Sequence, residues 1–302
     1  MAGSRAKTPD MKDTPEILCI GSVLWDVIGR CDNPMRQGSD MPGRISRLPG
    51  GVAMNIAMAL RRFGLTPALL SAVGRDVEGD ALISACHARG LRTDLIYRSD
   101  DLPTDQYMAI EATNGLIAAI ADAHSLEAAG AKILRPLENL MIPFTGAVAL
   151  DGNLTLELLS QMARSPLLAQ ADLRVAPASP GKALRLMPFV QSGRGTLYVN
   201  LEEAGLLCQM QFDSSEIAAS TLLERGAARA VVTDGGNPAT VAAPDGTVTQ
   251  TPPPVSVTRV TGAGDTFMAA HIAAELRGLA PDAALYEALN AAALYVAGET
   301  KI

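Results

Sequence analysis

The eight residues Val260-Thr261-Gly262-Ala263-Gly264-Asp265-Thr266-Phe267 hold the densest chemistry in the chain. Two glycines flanking a small residue let the backbone turn tightly, so several N–H groups point at one spot. The Ala-rich text that follows reads as a helix, whose unpaired N–H groups and positive dipole end face that same spot. Such a turn suits an anion, most often phosphate. Asp265 then places a carboxylate on the first helical turn. It is either a helix-capping group or a base beside a phosphoryl group.

Four further groups of residues can do chemistry, and each has a plainer reading beside it. Asp26 follows the first apolar run by four residues, where a carboxylate can clamp vicinal hydroxyls of a sugar or simply form a turn. Gly50-Gly51 with Asn55 offers close backbone approach plus an amide one helical turn on, though Gly-Gly before a helix is common. Asn200 and Glu203 carry oxygens that can hold a hydrated Mg²⁺. The same N-x-x-E spacing is a capping box. Thr233-Asp234-Gly235-Gly236 suits a nucleotide phosphate or ribose, and equally a hairpin turn. His87, His124 and His271 lack metal spacing and read as surface or core histidines. Trp25 and Tyr107 can line a ligand or pack their own sheet. There is no G-x-x-x-x-G-K-[ST] loop, and Gly21 is not followed by a G-x-G-x-x-G pattern, which argues against P-loop and dinucleotide-binding readings.

These groups need a frame. Glu16–Ser22, Ala68–Val73, Ala147–Leu150, Thr196–Asn200 and Ala228–Thr233 are short apolar runs, predicted to be buried parallel strands. Val52, Ile56, Ala59 and Phe63 form a helical stripe ended by Gly64. Helices are also predicted over Asp76–Arg89, Leu154–Ala163, Ser215–Arg225, Asp265–Gly278 and Asp282–Ala297. Asn114-Gly115 and Asp245-Gly246 mark two hairpins. Alternating strands and helices give an α/β fold with a doubly wound, mainly parallel sheet. Two β-rich excursions, about 24–48 and 104–121, are expected to pair as a small lid sheet inserted into one domain spanning 16–302, after a loose, disordered tail at 1–15.

The chain has 302 residues, 48% of them apolar and 19% charged, with a formal net charge of −7. That balance argues against a nucleic-acid or anionic membrane surface, but not against a nucleotide held by backbone amides. Cys19, Cys31, Cys86 and Cys208 are scattered, as expected for reduced thiols in a cytoplasmic protein. No secretory signal or membrane span is expected. The lid edges make pairing with a second copy, a homodimer, conceivable.

Taken in order, Gly50-Gly51-x-x-x-Asn55, Val73-Gly74-Arg75-Asp76-x-x-Gly79, Asn200-x-x-Glu203 and Gly262-Ala263-Gly264-Asp265 resemble the ribokinase-like sugar and nucleoside kinases, the PfkB family. The resemblance runs from about Ile17 to Val296. Pro42-Gly43-Arg44-Ile45, Leu70-Ser71-Ala72-Val73-Gly74 and Ile117-Ala118-Ala119-Ile120-Ala121-Asp122 look most like the pseudouridine kinases within it. The resemblance implies ATP and Mg²⁺, with Asp265 as catalytic base and the amides of Gly262, Ala263 and Gly264 as an anion hole. It places the sugar on Asp26, Gly50, Gly51 and Asn55, and Mg²⁺ with its waters on Asn200 and Glu203. Asn200, Thr233 and Gly235 would touch the nucleotide, and Asn290 lies where adenine is usually lined. The implied reaction is phosphorylation of pseudouridine to its 5′-phosphate. Another sugar or nucleoside kinase of the same fold, or a non-catalytic nucleotide or sugar sensor, stands as the alternative. Two positions depart from the family. Arg259 stands where an Asp often serves a monovalent-cation site, so potassium dependence is not expected to carry over. Pro238 replaces the last glycine of the nucleotide loop. The helix dipole is expected to keep Asp265 ionised and make it a weaker base.

Overall fold

The computed structural model describes residues 15–139 and 143–299. The tail expected at 1–15 lies outside these residues except for Pro15, which is buried. The strands are β1 (Ile17–Ile20), β2 (Leu24–Arg30), β3 (Arg44–Gly50), β4 (Pro67–Leu70), β5 (Ala72–Gly74), β6 (Tyr97–Ser99) and β7 (Gln106–Ala112). They continue as β8 (Gly115–Asp122), β9 (Ala147–Asp151), β10 (Asp172–Ala176), β11 (Thr196–Asn200), β12 (Arg229–Asp234), β13 (Asn237–Ala243) and β14 (Gly246–Gln250).

The main sheet has the order β14-β13-β12-β11-β10-β9-β1-β4. It is parallel from β4 to β12 and finishes in an antiparallel hairpin. Strands such as β1 and the run Ala147–Leu150 of β9 are wholly apolar because both faces are covered. Leu18, Ile20, Val148 and Leu150 join one apolar layer, which includes Leu158, Leu207 and Leu222 from the helices Leu156–Arg164, Leu201–Cys208 and Ser215–Glu224. Their chain neighbours Ile17, Cys19, Ala147 and Ala149 join the other. That second layer takes in Ile56, Phe267 and Leu285 from the helices Val52–Arg62, Ala263–Leu276 and Pro281–Val296. Among the described residues no helix is long and apolar enough to cross a membrane.

Two differences from the sequence reading concern strands. The run Ala68–Val73 is not one strand. It breaks at the buried Ser71, so that β4 stays in the main sheet while β5 turns away to pair with β6. Strand β10 was not foreseen because Asp172 and Arg174 interrupt its apolar pattern. Arg174 is tolerated inside because Asp172 and Glu275 pair with its guanidinium.

The second sheet has the order β3-β2-β7-β8. Its register aligns Val27 with Arg47 and Met108, and Met108 with Ile120. Two residues along, Gly29 aligns with Ile45 and Ile110. Side chains two apart share a face, so Ile45, Met108, Ile110 and Ile120 lie together, all exposed. Asp26 and Tyr107, paired with each other, belong to the opposite face. Trp25 packs this sheet onto the body. Its indole N–H donates to the Glu78 carbonyl at 2.9 Å, and the Arg47 guanidinium stacks 4.1 Å from its ring.

Candidate active site

Parallel strands bring several chain ends to one edge. Asn200 at the tip of β11 lies beside Thr233 of β12, and Asp151 at the tip of β9 lies next to the end of β1. In α/β sheets ligands bind at this carboxyl edge. The helix Ala263–Leu276 begins there too.

That helix opens on Gly262 at φ 86°. A side chain on Gly262 would meet the Tyr295 hydroxyl at 2.5 Å, and that hydroxyl donates to the Thr261 carbonyl at 2.8 Å. Left-handed backbone and lack of space therefore both demand glycine. Of the expected amide donors, that of Ala263 is already engaged, donating to the Val260 carbonyl at 3.0 Å. The amides of Gly262, Gly264 and Asp265 meet no backbone carbonyl among the described residues. A side chain on Gly264 would meet nothing within 4 Å, so this part of the turn faces open space.

Asp265 sits half-buried on the first turn. Its Oδ2 accepts a hydrogen bond from Asn55 Nδ2 at 2.9 Å, across 210 residues of sequence. Burial pushes its pKa up to about 7, the Asn55 bond opposes this, and the carboxylates of Asp151 and Asp26 add to it. The expectation of an ionised, weak base is therefore corrected. Loss of water around the carboxyl outweighs the helix dipole, whose reach is short and easily screened.

The sequence reading put Asp26 just past β1 at the carboxyl edge of the sheet, as a sugar clamp or a turn residue, within the β-rich excursion at about 24–48. The structure puts it in β2, on the second sheet. It comes so close to Gly50 that a side chain there would strike the Asp26 carboxylate at 2.1 Å. Burial raises its pKa to about 6. Gly50 thus abuts Asp26, whose charge reaches Asp265, and Asn55 bonds Asp265 directly.

A cavity of about 470 Å³ adjoins the start of the helix that carries Asp265, although Asp265 itself is not among its lining residues. Thr233, Gly235 and Gly236 line it from the β12–β13 hairpin turn. Ala263, Gly264 and Phe267 line it from the helix start, and Pro252 and Val257 from the preceding loop. Leu289, Ala292 and Ala293 close it from the last helix, whereas Asn290 is not among its lining residues. Pro238 lies in β13, and its carbonyl accepts from Ser215 Oγ at 2.6 Å. Arg259 donates through Nε to the Tyr295 carbonyl at 2.8 Å and stacks 3.8 Å from the Tyr295 ring.

Asn200 and Glu203 form a reciprocal capping box, with Glu203 N–H to Asn200 Oδ1 and Asn200 N–H to Glu203 Oε2, both at 2.8 Å. Glu203 is buried, which raises its pKa. The box engages Glu203 through Oε2. His271 is fully buried, its Nδ1 2.8 Å from the Tyr198 hydroxyl, and burial lowers its pKa to about 4. His87 and His124 are exposed. Sequence reading passed over Asp151 and Ser22. Their one signal was that each stands at the end of an apolar run.

The chain is similar to known kinases over most of its length. Pseudouridine kinase from Escherichia coli strain K12 is 28% identical over 264 residues, covering 86% of this chain and 83% of that enzyme. The structure of a carbohydrate kinase from Agrobacterium tumefaciens is 25% identical with a TM-score of 0.78, covering 93% and 90% of the two chains. Arabidopsis thaliana ribokinase, solved with ribose and ATP, shares the fold at a TM-score of 0.79 and 20% identity over 95% and 94%. The family described as pfkB family carbohydrate kinase matches residues 14–300, so this chain belongs to that family and is an ATP-dependent sugar or nucleoside kinase.

Proposed function

We propose that this enzyme phosphorylates pseudouridine to pseudouridine 5′-phosphate, with Asp265 as the base. The reading is carried by Asp265 itself, bonded to Asn55 and standing on the first helical turn after Gly262. The 264-residue likeness to a pseudouridine kinase supports the choice of acceptor. In phosphoryl transfer the protein's work is mostly positioning and charge stabilisation. Asp26 and Asn55 hold the sugar so that one hydroxyl is in line with the terminal phosphorus. Asp265 accepts that hydroxyl's hydrogen bond and finally its proton. A pKa near 7 suits this, because a base works best when its pKa lies near the operating pH. The amides of Gly262 and Gly264 meet the charge that grows on the phosphoryl oxygens.

Asn200 and Glu203 would hold Mg²⁺ through its waters, using the lone pairs their capping box leaves free. The ion would supply charge neutralisation on the phosphates. Among the described residues no three His, Cys, Asp or Glu side chains cluster as metal ligands. A Mg²⁺ ion here would therefore keep water and nucleotide oxygens as most of its shell. Arg259 occupies itself with Tyr295, and we assign no potassium site to it. We further propose that the exposed apolar face of Ile45, Met108, Ile110 and Ile120 seats a second copy of this chain. A sedimentation run that finds only monomer at micromolar concentration would remove that part.

The deciding experiment is an ATP-coupled assay across pseudouridine, uridine, ribose, adenosine and fructose. The highest kcat/KM is expected with pseudouridine. A higher value with any other acceptor moves the assignment to that substrate. ATP turnover with none of them favours a binding protein on a kinase scaffold.

A further inference from the structure

The helix Val52–Arg62, which carries Asn55, starts on Gly51 and so has no side-chain cap of its own. Its first amides find partners in a distant loop. Ser22 Oγ accepts from the Val52 amide at 2.9 Å, and the Ser22 carbonyl accepts from the Met54 amide at 3.3 Å. Two of the four amides that a helix start leaves unpaired are thus satisfied by one residue. The same hydroxyl donates to Asp151 Oδ2 at 2.5 Å and accepts from Asn153 Nδ2 at 3.0 Å. A serine hydroxyl has one proton and two lone pairs, and here all three are used.

Asp151 decides which way that hydroxyl turns. It is fully buried, with Oδ2 also accepting the Ser22 amide at 2.8 Å and Oδ1 accepting the Asn153 amide at 2.7 Å. It offers only acceptors, so the Ser22 proton must point at it and the lone pairs must point at Val52 and Asn153. Neither residue is exposed enough to serve as a substrate contact.

We propose that Ser22 and Asp151 are positioning residues for phosphoryl transfer: Asp151 orients the Ser22 hydroxyl, and Ser22 caps the helix that holds Asn55 against Asp265. The proposal rests on the reading of Asp265 as base. It explains why the loop after β1 is tied to the tip of β9 and to the helix at the same time. It also separates two kinds of carboxylate at this edge. Asp265 stays half-exposed, while Asp151 is fully buried and bonded to the protein.

The test uses the full chain with ATP and the best acceptor, comparing Ser22→Ala, Asp151→Asn and the double variant. Ser22→Ala is expected to lower kcat about 10- to 100-fold, the scale of a small misplacement near the chemistry. KM for ATP should stay near the parent value. The double variant should lose no more than the worse single one, because the two act as a unit. Asp265 faces the Asp151 and Asp26 carboxylates, the Asn55 amide and the Tyr295 phenol. Removing the Asp151 charge should therefore move the acid limb of the kcat–pH profile to lower pH, which a merely structural role would not do. Parent kcat in Ser22→Ala, additive losses in the double variant, or an unmoved limb in Asp151→Asn would each overturn the proposal. Should Ser22→Ala fail to fold, the position of the Asp151→Asn limb decides alone. Asp265→Asn is run beside them. If it keeps parent kcat, the base assignment falls; if it loses kcat while Ser22→Ala keeps the parent value, only the present proposal falls.

Discussion

Two helices that meet at the active edge begin alike and end up doing different things. Val52–Arg62 starts on Gly51 at φ 94°, and Ala263–Leu276 starts on Gly262 at φ 86°. Neither start has a side-chain cap of its own. At the first, Ser22 takes up the Val52 and Met54 amides. At the second, the Gly264 and Asp265 amides meet no backbone carbonyl among the described residues, and Gly264 lines a cavity. The lesson is that an uncapped glycine start is a donor site only where nothing else satisfies it. Filled, it becomes an anchor that aims a side chain. Asn55 is the side chain so aimed, and its bond to Asp265 joins the two helices.

Disabling the open helix at its base should have the largest effect. Asp265→Asn is expected to lower kcat on the order of 10²–10⁴-fold with little change in substrate KM, the range for a general base. Steady-state kinetics checks this, and near-parent kcat would end the assignment. Asp26→Ala should act on the acceptor side, raising KM for the sugar about 10-fold or more, as expected for loss of a charged hydrogen bond. An unchanged KM would remove Asp26 from the site.

Gly262→Ala tests the open start directly. It adds a methyl at positive φ, against the Tyr295 hydroxyl, at a cost on the order of 1–3 kcal/mol. A weaker ATP KM and a lower Tm are expected; a parent-like ATP KM would mean that the turn does not hold phosphate. The smallest effect is expected at the link between the helices. In the parent enzyme kcat should fall as pH drops below about 7, because a protonated Asp265 cannot accept a proton. The Asn55 bond favours the ionised form, so Asn55→Ala should move that limb to higher pH. A limb that stays put, or moves the other way, would break the proposed coupling.

How much of this was readable beforehand differs by element. The parallel sheet was legible because each central strand is covered on both faces and so reads as an unbroken apolar run, as in Ala147–Leu150. Strand β10 was not, because Arg174 is made tolerable only by Asp172 and Glu275, the latter 101 residues away. Gly262, Gly264 and Asp265 announced themselves by type and spacing. Asp151 and Ser22 did not, since a Ser and an Asp at strand ends are common and their pairing spans 129 residues. The pKa of Asp265 was read in the wrong direction from the helix dipole alone. Burial, which reversed it, has no local signature.

The sequence alone determined what is local: which runs must be buried, where glycine is needed for a turn, and which carboxylate begins the C-terminal helix. Propensity, hydrophobic period and backbone sterics act over a few residues and can be read there. The tertiary structure decided what those pieces face. Only folding could set Asn55 against Asp265, satisfy one glycine-started helix while leaving the other open, and strip water from a carboxyl group. Those outcomes depend on atoms brought together from distant parts of the chain.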